Sequence, residues 1–445
     1  MEVVNGATVN FTSGSDIYFG RYNGNTTYNG TTQLILNNGN FNCGKSQLCF
    51  WPTANSNGNG KNVVLNMSAV NNSVVTLAAD KELRFGEIAQ SDSKKHNTIK
   101  VTVNIENSAI TAKQIRVGQT NNYLTDTANS YNRISFGPGT VLTLNQIYAY
   151  AYPAPTVTFD GVTIHYAGTG SNSFIGQNSG LKSDDVYEIL SGGLTTDIPS
   201  GIALVVDGNS SVLKGAGGIT KTGAGSLTWN GLTSGSTVKR MLFTGPLVVT
   251  AGSWSSSLGY AASVFKAEGG NLTLSGALSA SDVVLSATDG GTLTLSGANI
   301  ADASPSLTVD SGGSTDYFSR DGHVSSYALD AFTLGEGASI GLDADAYDID
   351  TVSVGVTNIT ATAANPATLN IVFSEQPATG RTFALFATDD AAKFTLNPRM
   401  NGIMLPHEKE VVDGVLVMTV TAVVEDYTWN SSQSKIGRAS CRERV

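Results

Sequence analysis

The sequence predicts an all-β chain wound into a β-solenoid, in which short strands stack coil upon coil. Three observations carry that prediction. Residues 213–231 hold two alternating runs, Ile219-Thr220 and Leu227-Thr228-Trp229, set between glycine clusters, and each run is long enough for a short strand and no longer. Gly269-Gly-Asn-Leu-Thr-Leu-Ser-Gly-Ala277 and Gly290-Gly-Thr-Leu-Thr-Leu-Ser-Gly-Ala298 match at eight of nine positions with an offset of 21 residues, a period that means stacked coils. Composition agrees. Charged residues are 14%, hydrophobic residues at 40% suffice for a thin continuous core, and 49 glycines supply corners where a Cβ would clash with the neighbouring layer.

Aligning the alternating cores on Leu204, Leu227, Leu247, Leu272 and Leu293 gives steps of 23, 20, 25 and 21 residues, so these leucines are expected to pile in register. The wording Gly-Ala-Gly-Gly-Ile-Thr-Lys-Thr-Gly-Ala-Gly-Ser-Leu-Thr-Trp-Asn-Gly at 215–231 resembles the autotransporter-associated β-strand repeat found in passenger regions of bacterial surface proteins. The resemblance covers residues 185–300 well and the rest only in style. It implies a right-handed parallel β-helix exported to the bacterial cell surface and held at the outer membrane by a segment outside this sequence. It implies no reaction.

Along the chain, residues 1–300 read as the repeat region. Strands are expected at 7–11, 17–19 and 33–36 among the turn dipeptides Asn23-Gly24, Asn29-Gly30, Asn38-Gly39 and Asn57-Gly58. They sharpen at 63–67, 74–77, 99–105 and 110–117. Residues 91–97 read as a solvated loop, and 118–135 as a polar insertion of the kind that leaves one face of a solenoid. Strands resume at 141–144, 147–150, 157–159 and 162–166, with 187–189 favoured as strand over a helical turn. Residues 301–429 form a looser β-rich continuation or cap, with a loop excursion at 316–331 and longer strands at 352–361, 368–373, 382–386 and 415–421. At ~22 residues per coil the chain would give on the order of 19 coils. Residues 430–445 are expected to be a disordered tail. Within them 436–445 resemble the translation of a sequencing adapter and are left out of the fold.

The ends and the charge set bounds. The first six residues lack the basic and apolar regions of a signal peptide, which for an exported chain predicts a natural start further upstream. No run of ~20 apolar residues is present to span a membrane as a helix. A net charge of −10 without a basic, aromatic-interleaved stripe disfavours nucleic acid. Cys43 and Cys49, with five residues between them, form an even pair that can close a local disulfide in an exported protein or remain as buried thiols.

Candidate chemistry is sparse. Asp343, Asp345, Asp348 and Asp350 alternate in a way that could attract Ca²⁺, against the plainer reading that they cap turns. Tyr148, Tyr150 and Tyr152 share one side if their strand persists to Pro153, which would make a sugar-stacking platform. Tyr18, Phe19, Tyr22 and Tyr28 form a second aromatic group. Asp184, Asp185 and Glu188 beside Lys182 supply the carboxylates and cation that a glycosidase or polysaccharide lyase would need, but no motif distinguishes them. His96, His165, His323 and His407 stand singly, and the glycine clusters lack the context of a phosphate loop. No catalytic residue and no cofactor is assigned. The leading expectation is a non-enzymatic stalk or adhesin-like contact surface whose partners are host or environmental glycans or proteins. A carbohydrate-active enzyme on the same scaffold is the alternative from another class, and a self-associating surface structural protein is the third.

Overall fold

A computed structural model describes residues 1–12, 14–20, 29–50, 62–86, 98–119, 124, 126–169, 175–177, 186–206, 213–229 and 240–423. Backbone pairing makes the chain a parallel β-helix with three strands in most coils. Asn62–Val70, Val74–Leu77 and Glu82–Phe85 form one coil, and Thr98–Ile105, Ala109–Thr111 and Gln114–Val117 lie on it in register. Repetition builds a first sheet of ten strands, a second of 14, and a third face of six strands up to Ile175–Gln177 that resumes as a separate sheet from Ala203–Val206. No transmembrane-length apolar helix occurs among the described residues.

Period-two alternation decides which side chains meet inside, because successive residues of a strand face opposite ways. In the first sheet Leu34, Met67, Val103, Ile134, Val157, Tyr187 and Leu213 form one buried column. In the third, Ile17, Leu48, Leu83, Ile115, Ile147 and Ile175 form another. Aromatic rings stack the same way: Phe136 lies 5.9 Å from Phe159, and Trp229 lies 5.8 Å from Trp254.

That register corrects the leucine alignment. Leu204, Leu227, Leu272 and Leu293 do share a column, but Trp254 fills the rung between Leu227 and Leu272. Leu247 belongs to the second sheet, between Ile219 and Phe265. Both leucines and the tryptophan are fully buried, so hydrophobicity alone could not choose between them. The coil number also falls below expectation, since the second sheet holds 14 strands with one per coil. Early coils are longer: Val75 to Ile110 spans 35 residues, whereas Leu285 to Leu307 spans 22.

Several local expectations shift for identifiable reasons. Residues 110–117 divide into Ala109–Thr111 and Gln114–Val117 around a corner at Ala112-Lys113. The strand Tyr131–Phe136 begins inside the expected insertion, and Ser326–Leu334 begins inside the expected excursion. Asn29-Gly30 opens the strand Asn29–Asn37, while Asn38 adopts the left-handed conformation of a turn at φ 51°. At the glycine-rich corners, a Cβ on Gly217 would overlap the Leu190 carbonyl and one on Gly218 would overlap that of Pro246. Coils touch backbone to backbone there, which no other residue type permits.

Parallel pairing continues to Phe394–Met400. An antiparallel sheet of Thr382–Ala387, Val415–Val420 and His407–Val412 then packs on the last coils, with Phe386 5.6 Å from Phe332 and Phe383 5.3 Å from Phe373. Its outermost strand carries Glu408, Lys409 and Glu410, charges that discourage a further strand from pairing.

One inward position breaks the pattern. Lys221 is fully buried between Thr196 and Val249, and its Nζ donates to the carbonyls of Thr222, Gly223 and Ala251 at 2.9, 2.6 and 2.9 Å. It thereby ties two successive corners together. Lys221→Met should lower unfolding free energy by about 1–3 kcal/mol, the cost of leaving buried acceptors unpaired. Burial pulls the amine from 10.5 down to about 8, with Asp197 pulling the other way. Between those values the native state has released a proton that the unfolded chain keeps, so this group's contribution rises with pH. The melting-temperature gap between wild type and variant should therefore widen from pH 8 to 10, read by thermal denaturation.

Candidate functional site

The third face of the N-terminal coils carries the densest set of aromatic and charged side chains. Leu83, Phe85, Ile115, Val117, Ile147 and Ala149 point inward and are buried, so alternation turns Glu82, Arg84, Gln114, Arg116, Gln146 and Tyr148 outward. Register then places Arg84, Arg116, Tyr148 and Gly176 in one column across four coils.

The side chains in that column are tied to one another. Glu82 Oε2 accepts from Arg84 Nε at 2.8 Å and lies 3.4 Å from Arg116 Nη1. Arg116 Nη2 donates to the Tyr150 hydroxyl at 3.0 Å, and its guanidinium sits 4.9 Å over the Tyr150 ring. Tyr148 and Tyr150 have ring centroids 4.8 Å apart at a 59° tilt, and both are half-buried. Burial raises the Tyr148 phenol above its ordinary value, and Tyr150 adds to the effect. Gly176 has a visible purpose on this face. A Cβ there would come within 2.9 Å of Tyr148 Cδ2, so the glycine lets the ring lie close to the sheet.

The third tyrosine is placed differently from expectation. The strand Gln146–Ala149 ends before Tyr150, so alternation does not carry the row on to Tyr152. Tyr152 exchanges backbone hydrogen bonds with Gln119 in an antiparallel bridge, at 2.7 and 3.0 Å. Tyr150 reaches Tyr148 through ring contact instead. Tyr18 and Phe19 lie on Ile17–Phe19 of the same sheet, with Phe19 stacked 5.0 Å from buried Phe50, while Tyr22 and Tyr28 lie outside the described residues.

The four aspartates are divided between a turn and its base. The strand Ser339–Ala344 ends before Asp345, whose carboxylate instead accepts from the amides of Tyr347 and Asp348 at 2.7 and 2.8 Å and closes a turn. Asp348 is exposed at the tip. Asp343 and Asp350 are buried at the base, where Asp350 accepts from the amides of Ser325 and Asp343 at 2.8 and 2.7 Å. Among the described residues no group of three or more His, Cys, Asp or Glu is placed to hold a metal ion.

Of the two alternatives for the cysteine pair, the structure has Cys43 and Cys49 as buried thiols rather than a disulfide. Both are buried, but Leu48 and Phe50 face the core of the third sheet, so Cys49 between them points to the opposite side of that strand. Cys43 faces the core from Asn40–Gly44, and burial pushes its thiol up to about 12. Of the carboxylates weighed for catalysis, Asp184 and Asp185, with Lys182, lie outside the described residues, as does His96. Glu188 is a half-buried outward residue between Thr158 and Lys214.

Sequence reasoning missed the partners that stacking supplies. His165 Nδ1 lies 2.7 Å from Asp197 Oδ2 on the next coil, so this histidine does not stand singly. Glu82 and Arg116 meet across 34 residues of sequence. Coil spacing is the signal that would have found them, and it was obscured by the unequal coil lengths. His407 rests on the Leu405 carbonyl at 2.9 Å, and the His323 amide lies 3.4 Å from Asp321 Oδ1. No protein-family model, curated protein or solved structure matches the chain.

Asp350 yields a signed prediction. Burial raises its carboxyl to about 7 from 3.8, with the two amides opposing and Asp343 and Asp321 adding to the rise. Its folded value exceeds the unfolded one, so its contribution is complete below about pH 4 and is lost as pH climbs through 7. Melting temperature should fall from pH 5 to 8 in the wild type and run flatter in Asp350→Asn, measured by calorimetry.

Proposed function

We propose that this chain is a non-enzymatic β-solenoid displayed at a bacterial surface, a stalk that also offers an adhesive contact face for glycans. The observation that carries this reading is the Tyr148–Tyr150 ring pair, held half-exposed on a rigid sheet by Arg116 and seated over Gly176. Aromatic faces stack on the apolar face of a sugar ring, while Arg116, Glu82, Gln114 and Gln146 offer donors and acceptors to its hydroxyls. The scaffold favours binding, since the groups are preorganised by backbone register.

The bacterial surface assignment rests on the resemblance of the motif at 215–231, of which Gly217, Gly218 and Gly225 stand where coils touch backbone to backbone. Tyr148→Ala with Tyr150→Ala should weaken binding to the best neutral oligosaccharide on a glycan array by about tenfold or more, without lowering the melting temperature appreciably. Unchanged binding in the double variant, or no glycan bound by the wild type, would remove the platform from the reading.

A further inference from the structure

A second outward surface, on the first sheet, has chemistry of its own. Thr102, Asn104, Arg133, Ser135, Thr156 and Thr158 line a groove of about 300 Å³ across the strands Thr98–Ile105, Tyr131–Phe136 and Pro155–Phe159. That volume is at the lower end of what small-ligand sites use. The floor is rigid. Ile134 and Val157 are buried beneath it in the core column, and the Thr158 hydroxyl donates to that of Ser135 at 3.2 Å.

Arg133 sets the groove apart from an ordinary polar face. It is exposed, its guanidinium lies 4.2 Å over the Tyr131 ring, and among the described residues it has no carboxylate partner. Stacking fixes the plane of the fork while leaving its N–H groups outward, the arrangement that suits a carboxylate or sulfate oxygen pair. Lys100 stands beside Tyr131 in register at the edge of the groove, a second positive charge that the Asp126 carboxylate also feels. Around these cations the lining offers hydroxyls and one exposed amide, donors and acceptors suited to uncharged polyol groups.

We propose that this groove binds an acidic glycan, with Arg133 taking a carboxylate or sulfate of one sugar and the threonine and serine hydroxyls taking the neutral hydroxyls beside it. Two cations on a chain of net charge −10 suit an isolated acid group on a sugar better than a continuous phosphate backbone, which the whole-molecule field repels. The site is separate from the Tyr148–Tyr150 platform and does not depend on it.

Isothermal titration with a neutral oligosaccharide carrying a single sulfate, the same oligosaccharide carrying a single uronate, and neutral dextran tests the proposal on the full chain. One or both acidic ligands should bind, more weakly as salt rises, and Arg133→Ala should reduce that affinity by about tenfold or more. Arg133→Lys should fall between, because it keeps charge without the stacked fork. Which acidic ligand binds tells carboxylate from sulfate, and Tyr148→Ala with Tyr150→Ala should leave this binding intact. The proposal is overturned if neither acidic ligand binds, if Arg133→Glu binds like wild type, or if dextran binds as tightly. It is equally overturned if a single-stranded DNA of matching charge binds with the same dependence on Arg133. Because Arg133 is exposed, an unchanged melting temperature in each variant confirms that the loss is local.

Discussion

In-register stacking of parallel strands is the constraint on which the rest of this molecule depends. Each strand satisfies its backbone groups against the coils before and after it, about 4.8 Å away along the axis. Every inward side chain therefore meets its own equivalents, and the core becomes a set of columns. A column accepts Leu, Ile, Val or Phe almost interchangeably, as in Leu48, Leu83, Ile115, Ile147 and Ile175. What it does not tolerate is a slip by one residue, which would turn the whole row to solvent.

The same rule builds the outer faces. Side chains that act together are neighbours in a column and lie one coil apart in sequence, so local motifs are the wrong place to look for them. Glu82 with Arg116, and His165 with Asp197, are pairs of this kind. Arg133 differs because its stacking partner, Tyr131, lies two residues away on the same strand and turns its ring beneath the guanidinium. The column neighbours of Arg133 are Thr102 and Thr156, neither of which carries a charge.

Much of the fold was legible because the alternation is strict and glycine marks the corners. Val74–Leu77, Val141–Leu144 and Val162–Tyr166 begin and end where the residue pattern places them. Assignment of strands to faces was less legible: Leu247 and Trp254 are both apolar, and only the backbone path around Gly252 decides which belongs beside Leu227. The tyrosine platform was half legible. Alternation located Tyr148, yet the end of the strand at Ala149 and the bridge between Tyr152 and Gln119 follow from tertiary pairing that no local pattern encodes. Arg116 was invisible for the same reason. In the aspartate cluster alternation stops at Ala344, where the chain turns and Asp345 caps the turn.

Two buried ionisable groups serve the frame of this scaffold. Lys221 and Asp350 are the groups that burial displaces most clearly toward neutrality near physiological pH, the property often found in catalytic acids and bases. Their partners say otherwise. Lys221 is consumed by three carbonyls of glycine corners, and Asp350 by two amides that join the start of one strand to the turn before another. Neither is aimed at a space where a substrate atom could sit. Both stand where the repeat must be interrupted, one at a corner and one below an inserted turn, and each adds hydrogen bonds to backbone groups there. Side chains with such obligations stabilise the frame.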